Sequence, residues 1–287
     1  MMRPGRMGNS VERKFVFMEG LKSRAVALIV CVALILVGWF GGNAMQNMGG
    51  KLITVQAAGV KANTVVLQVG GRDVTAGEYL YWLASSCDAI YQYYGITDWT
   101  LAMTQDLTVG DYAKEQSDYY VSQRAAIELL AAEQGVTLDQ TQQEQLDGIA
   151  AYYAEYYGSR EVYEYLLDYA GLDEKLLKAN SAVPFLYTNL CEKLLGDGGA
   201  LEPTEENLRA YAERNGYTEM SDGELLMYYQ DTEYGAVYDY VNDYIDSLEI
   251  VKTEAYDAID VAAFYPALQA AREALPVPET DEGSAEE

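Results

Sequence analysis

The chain of 287 residues contains no histidine, and that one absence narrows its chemistry more than any motif present. Without an imidazole there is no Ser-His or Cys-His nucleophilic relay, no His-ligated zinc and no imidazole acid-base step. Ser-x-x-Lys, G-x-x-x-x-G-K, an EF-hand loop and paired C-x-x-C motifs are absent as well. What remains is 45 Asp and Glu, 26 tyrosines and three cysteines. So many acids supply close carboxylate pairs by chance, which keeps a hydrolase of wall polymer open as a third-ranked reading. No catalytic residue, metal or cofactor is implied.

The tyrosines are the richer signal. Five pairs are adjacent in sequence: Tyr93-Tyr94, Tyr119-Tyr120, Tyr152-Tyr153, Tyr156-Tyr157 and Tyr228-Tyr229. Neighbours on a helix point about 100° apart, so when one ring faces the core its partner cannot fully do so. Tyr152 and Tyr156, four apart, form an aromatic strip beside the core stripe. A tyrosine presents a flat apolar face with a wet hydroxyl, suited to adaptable contact with varied partners. The alternative is that wide helix interfaces bury most of them. Trp82, Tyr93, Tyr152 and Tyr156 fall off the apolar stripes and are the candidate binding residues. Asp239, Asp243 and Asp246 share one helical face, where a solvated surface is favoured over a metal site.

Turn and capping signals place these residues on a mainly α scaffold. Val65–Val69, the Gly70-Gly71 turn and Arg72–Val74 predict a hairpin. Thr75-x-x-Glu78 predicts a capping box opening a helix with Tyr79, Leu80, Leu83, Cys87, Ile90, Tyr91 and Tyr94 inward. Thr108-x-x-Asp111 opens a long helix with Tyr112, Gln116, Tyr119, Gln123, Ile127 and Leu130 inward, closed by Gly135. Helices follow over 140–157, 159–170 and 173–195, the last kinked or split at Pro184. A short helix starts at Pro203-Thr204. One long helix runs from Ser221 to Leu248 with Val237, Tyr238, Val241, Ile245 and Leu248 on its apolar face. Glu249–Lys252 is a strand candidate to pair with the hairpin at Val65, and 262–275 a final helix. Cys87 lies on an apolar stripe and counts as core; nothing in the spacing of Cys87 and Cys191 demands a disulfide.

At the other end of the chain, Ala25 to Phe40 is a run of sixteen residues without a charge. Residues 1–24 before it carry six Lys/Arg and two Asp/Glu, a net of +4, whereas the remainder holds thirteen bases and 43 acids, a net of −30. This step predicts a cytoplasmic basic segment, a single-pass anchor over 25–42 and an outward-facing acidic region. A cleaved signal peptide is the alternative, with Gly42-Asn43-Ala44 as its small-x-small site. Residues 43–63 then form a spacer, 64–252 a helical domain, 253–275 a C-terminal extension and 276–287 a disordered acidic tail. The acidic excess argues against nucleic acid as a partner.

TVVLQVGGRDVTAGEYLYWL, LLAAEQGVTL, YLLDYAGLDEKLL and EPTEENLRAYAERN, taken in that order, make residues 64 to about 215 similar to the N-terminal region of the SurA/PrsA family of extracytoplasmic chaperones. The resemblance implies a helical chaperone module whose first strand is closed by the C-terminal helix and strand. It usually implies a parvulin prolyl isomerase domain as well. Here only some twenty residues separate Asn215 from Val237, against the ~100 of a typical domain. Parvulin sites also use histidines, which this chain lacks. The resemblance therefore predicts a membrane-tethered holdase for unfolded or newly translocated polypeptides, without isomerase activity. The alternative is a cell-envelope scaffold or adaptor with one defined partner.

Overall fold

A computed structural model describes residues 52–278. The leader, the predicted anchor over 25–42 and residues 279–287 of the predicted tail lie outside the described residues. Among those described, no helix is long and apolar enough to cross a membrane.

Over the described residues the protein is mainly helical with one small sheet. In chain order the elements are α1 (Ile53–Ala58), β1 (Val65–Val69), β2 (Arg72–Thr75), α2 (Ala76–Tyr94), α3 (Val109–Glu133) and α4 (Gln140–Asp147). They continue as α5 (Ile149–Tyr156), α6 (Arg160–Ala170), α7 (Glu174–Leu195), α8 (Glu205–Asn215), α9 (Asp222–Tyr229) and α10 (Ala236–Ser247). β3 (Ile250–Lys252), α11 (Glu254–Asp257) and α12 (Val261–Glu273) follow and are the last among the described residues.

Gly70 and Gly71 both adopt positive φ, 58° and 80°, which the tight β1–β2 connection requires. β3 returns from far along the chain to pair antiparallel with β1, with Gln68 opposite Val251, giving the order β2-β1-β3. The hairpin and its closing strand thus form as the sequence predicts. The main core lies between this sheet, α2, the first half of α3 and α12, and includes Leu67, Tyr79, Leu83, Cys87, Val121 and Phe264. Fully burying one such side chain contributes about 1.5–3 kcal/mol. A second cluster joins the far half of α3 to α7 and α10 through Ile127, Leu130, Leu190 and Val237. Cys87 and Cys191 are both buried and free.

Several expectations are corrected. The predicted spacer is structured over 52–63: α1 buries Ile53, Thr54 and Val55 and packs on α12. The predicted extension, 253–275, contributes Tyr256, Ile259, Val261 and Leu268 to the main core. On α2 the apolar stripe ends at Ile90, and Tyr91 and Tyr94 are exposed in the last turn. On α3 Ile127 and Leu130 are buried as expected, but over the earlier turns the inward face is rotated to Ala113, Ser117, Val121 and Ala125. Small residues win there because α2 approaches closely, with Ser117 Oγ 3.2 Å from Ser86 Oγ. The larger Tyr112, Gln116, Tyr119 and Gln123 flank the contact, half-buried.

Helix boundaries shift where glycine intervenes. The helix predicted over 140–157 breaks at Gly148 into α4 and α5. The one predicted from Ser221 divides into α9 and α10, because the Asp231 side chain accepts from the N–H groups of Glu233 and Tyr234 and turns the chain. A Cβ on Gly235 would lie 2.3 Å from the Asp231 carbonyl oxygen. α7, by contrast, is not split at Pro184 but runs unbroken from Glu174 to Leu195, supported along α3. Gly135 closes α3 as expected, with Val136 N–H donating to Ala131 O and Gly135 N–H to Ala132 O, a Schellman pairing.

Candidate functional site: an aromatic surface

α5 and α6 form a short helical hairpin whose main packing partners are each other and α4. The sequence builds it from both ends. Gly148 starts α5 and Gly158 turns the chain at φ 85°. The Ser159 hydroxyl then accepts from Val162 N–H to open α6, and Gly171 ends it at φ 71°. Between these punctuation points stand Tyr152, Tyr153, Tyr156, Tyr157 and Tyr163.

Their rings form one connected stack. Tyr152 lies 6.3 Å from Tyr156 at an interplanar angle of 18°, and Tyr153 lies 6.0 Å from Tyr157 at 15°. Tyr153 also stacks on Tyr163 of α6, 6.4 Å away at 7°, while Tyr156 meets Tyr157 edge-on at 4.9 Å. The cluster is graded from inside to outside. Tyr163 is 2% exposed, whereas Tyr152 is 62% and Tyr156 65% exposed. Burial foremost pushes the hydroxyls of Tyr157 and Tyr163 up to about 12, reinforced by Tyr153 at the first and Glu174 at the second. Both hydroxyl oxygens are buried without a hydrogen-bond partner.

Of the four predicted binding residues, the structure brings Tyr152 and Tyr156 together and leaves both accessible. Tyr93 is 80% exposed at the end of α2, beside exposed Tyr94 and the Gly95 cap. Trp82 differs. Its ring stacks on Tyr120 at 5.1 Å and meets Tyr81 edge-on, and it packs against the main core, only partly accessible. The exposed aromatics are therefore Tyr152 and Tyr156 together on the hairpin and Tyr93 at the end of α2, with Trp82 behind them in accessibility.

Three charged clusters, which no local sequence pattern announces, hold the scaffold. Asp88 is buried and receives Arg272 Nη1 at 2.7 Å, Arg272 Nη2 at 2.9 Å and the Tyr265 hydroxyl at 2.8 Å. Arg272 Nε donates to the Tyr169 carbonyl at the end of α6, and its guanidinium lies 4.7 Å over the Tyr169 ring, tying the hairpin's base to α12. Glu78 does not close a capping box. The Thr75 hydroxyl accepts from Glu78 N–H, but the Glu78 carboxylate pairs with Arg72 at 3.0 Å and Arg124 at 3.3 Å, and Glu128 bridges the same two arginines. The third cluster sits on Tyr256, whose ring has Lys114 Nζ at 4.2 Å and Lys252 Nζ at 4.4 Å. Burial lowers the Lys114 pKa, although nearby Asp118 opposes it.

A faint sequence signal for the first cluster exists: Asp88 follows Leu80 and Ala84 at four-residue intervals, on the buried side of α2, and Arg272 follows Leu268 likewise. Of the predicted acidic face, Asp243 pairs with Arg214 at 2.7 Å and Asp239 accepts from Asn215 at 3.0 Å. Among the described residues no group of three Cys, Asp or Glu side chains is placed to hold a metal ion. Comparison with known proteins gives no match: no family model, no curated protein and no solved structure is similar to this chain.

Proposed function

We propose that this protein is a membrane-tethered, extracytoplasmic holdase that binds unfolded or newly translocated polypeptides without covalent chemistry, prolyl isomerisation included. The observation that carries the reading is the exposure of Tyr93, Tyr152 and Tyr156, the latter two on a hairpin whose rings stack on one another. Exposed tyrosine faces bury apolar area against many sequences at low conformational cost, while their hydroxyls stay solvated. The pairing of β3 with β1 supports the SurA/PrsA-like reading, because that resemblance anticipates a first strand closed from the C-terminal side. The charge step across residues 25–40 supports the outward orientation.

The test is suppression of aggregation of an unfolded test protein by the full-length chain in lipid nanodiscs. Replacing Tyr93, Tyr152 and Tyr156 together with Ser is expected to weaken suppression while leaving the helical circular-dichroism signal intact. Raising the salt changes little, because contacts between exposed charges are already screened over ~8–10 Å at physiological ionic strength. Unaltered suppression in the triple variant removes this reading.

A further inference from the structure

The protein already uses tyrosine faces to hold its own cations. Arg160 lies 5.3 Å over Tyr163, Arg272 4.7 Å over Tyr169, and Lys114 and Lys252 both approach Tyr256. In each case the cation also meets an acceptor, such as Glu164 at 2.7 Å from Arg160 Nε or Asp118 at 2.7 Å from Lys252 Nζ. Among the described residues the exposed pair Tyr152 and Tyr156 has the same ingredients without the cation. Glu155, three residues from Tyr152 and next to Tyr156, is exposed and forms no ion pair among the described residues, and Glu161 across the Gly158 turn is likewise unpaired. The buried ring behind them, Tyr163, has its hydroxyl raised first by burial and then by Glu174, while Arg160, paired with Glu164 and Glu174, opposes the rise. The whole acidic remainder of the chain carries a net of −30.

We infer that the Tyr152/Tyr156 face of the α5–α6 hairpin is a docking site for the arginine and lysine side chains of extended, basic polypeptide segments, held over the tyrosine rings and beside Glu155. This rests on the holdase reading and names the class of segment it takes. A cation over an exposed ring changes affinity by roughly threefold, so two such contacts give about tenfold. Two different forces contribute. The ring contact is short-ranged and survives salt, whereas the pull of Glu155 and Glu161 is screened.

The experiment compares two labelled, disordered peptides of Gly, Ser and Leu that differ only in carrying two arginines or two citrullines, the neutral isostere. Binding to the full-length chain in zwitterionic nanodiscs is read by fluorescence anisotropy at physiological salt. The expected result is about tenfold tighter binding of the arginine peptide. That ratio falls to near one in Tyr152→Leu/Tyr156→Leu, which keeps apolar bulk, and is retained in Tyr152→Phe/Tyr156→Phe, which keeps the ring. Equal binding of both peptides by the wild type overturns the inference. So does a ratio that survives in the Leu variant, or one abolished equally in the Phe variant. The two readings separate cleanly: an arginine preference without suppression of aggregation removes the holdase and leaves the site, and suppression without the preference does the reverse.

Discussion

Removing one partner of the Asp88–Arg272 pair is expected to be among the most damaging single changes available in the described scaffold. Arg272 and Asp88 side chains are 3% and 10% accessible, and they join α2 to α12 across 184 residues of sequence. Asp88→Asn leaves the desolvated guanidinium facing one neutral amide oxygen and one amide NH2 donor in place of two carboxylate oxygens, and Arg272→Met leaves a buried carboxylate facing only the Tyr265 hydroxyl and a long contact from Gln269 Nε2. Truncating one partner of a buried, hydrogen-bonded ion pair costs about 3–5 kcal/mol, because the remaining charge is stranded. The pair itself adds far less, since its attraction is largely offset by desolvation of both charges. The double variant Asp88→Leu/Arg272→Met should therefore recover most of the loss.

Urea unfolding, followed by circular dichroism on the full-length chain in detergent, reads this directly. With a slope of about 3 kcal/mol per molar, each single change lowers the midpoint by roughly 1–1.7 M. In a thermal scan the same loss is about 10 °C. Tyr265→Phe, which removes one donor to the carboxylate, is expected to cost about 1.5–3 kcal/mol. A single variant losing under 1 kcal/mol would refute the burial argument. A double variant worse than either single would show that the pair stabilises the fold outright rather than merely requiring both members.

Three further outcomes follow from the same structure. Because the folded-state values of Tyr157 and Tyr163 are raised from the ordinary 10 to about 12, their contribution to stability is complete below pH 10 and is lost as the pH rises from 10 to 12; a denaturant midpoint that holds constant across that window contradicts this. Gly171→Ala places a Cβ 2.3 Å from Thr54 Cγ2 at a backbone φ of 71°, so α1 must shift off the end of α6; the positive φ alone costs about 1–2 kcal/mol, and a melting temperature unchanged within error would disprove the contact. Protease added to intact protoplasts should digest the acidic region and leave the apolar run in the membrane pellet at alkaline pH, and protection of that region would reverse the orientation.

Local signals in the sequence were strong wherever one residue type has a single physical solution. Gly70-Gly71 could hardly be anything but the tight turn it is, and Thr108, Ser159, Asp173 and Thr204 each cap a helix by accepting from the N–H three residues on. Interiors were weaker, because a helical stripe drawn from hydrophobicity assumes that large residues go inside. On α3 that assumption fails. The close approach of α2 needs the small Ala113, Ser117 and Ala125 at the contact, and the bulkier Tyr112 and Tyr119 stand beside it. The same holds for Glu78, whose spacing from Thr75 fits a capping box; its true partners, Arg72 and Arg124, are set by a tertiary contact that no local pattern contains.

The candidate site shows the same division. That Tyr152 and Tyr156 share a strip follows from their spacing of four, and that this strip faces water follows from nothing in the sequence alone, since Tyr153 and Tyr163 have equal hydropathy and are largely enclosed. What decides exposure is the number of partners the helix has. α2 is flanked by the sheet, α3 and α12, so a tyrosine such as Tyr79 on it is fully buried, and Trp82, off the stripe, is still partly covered by Tyr81 and Tyr120. α5 packs mainly on α4 and α6, which leaves one side of it open, and the last turn of α2 after Ile90 passes beyond its neighbours in the same way. Aromatic residues placed where the fold has run out of partners keep an apolar face in water, a cost that folding does not recover. Binding would recover it, and an unfolded polypeptide brings apolar and cationic groups that match both the rings and the acids beside them.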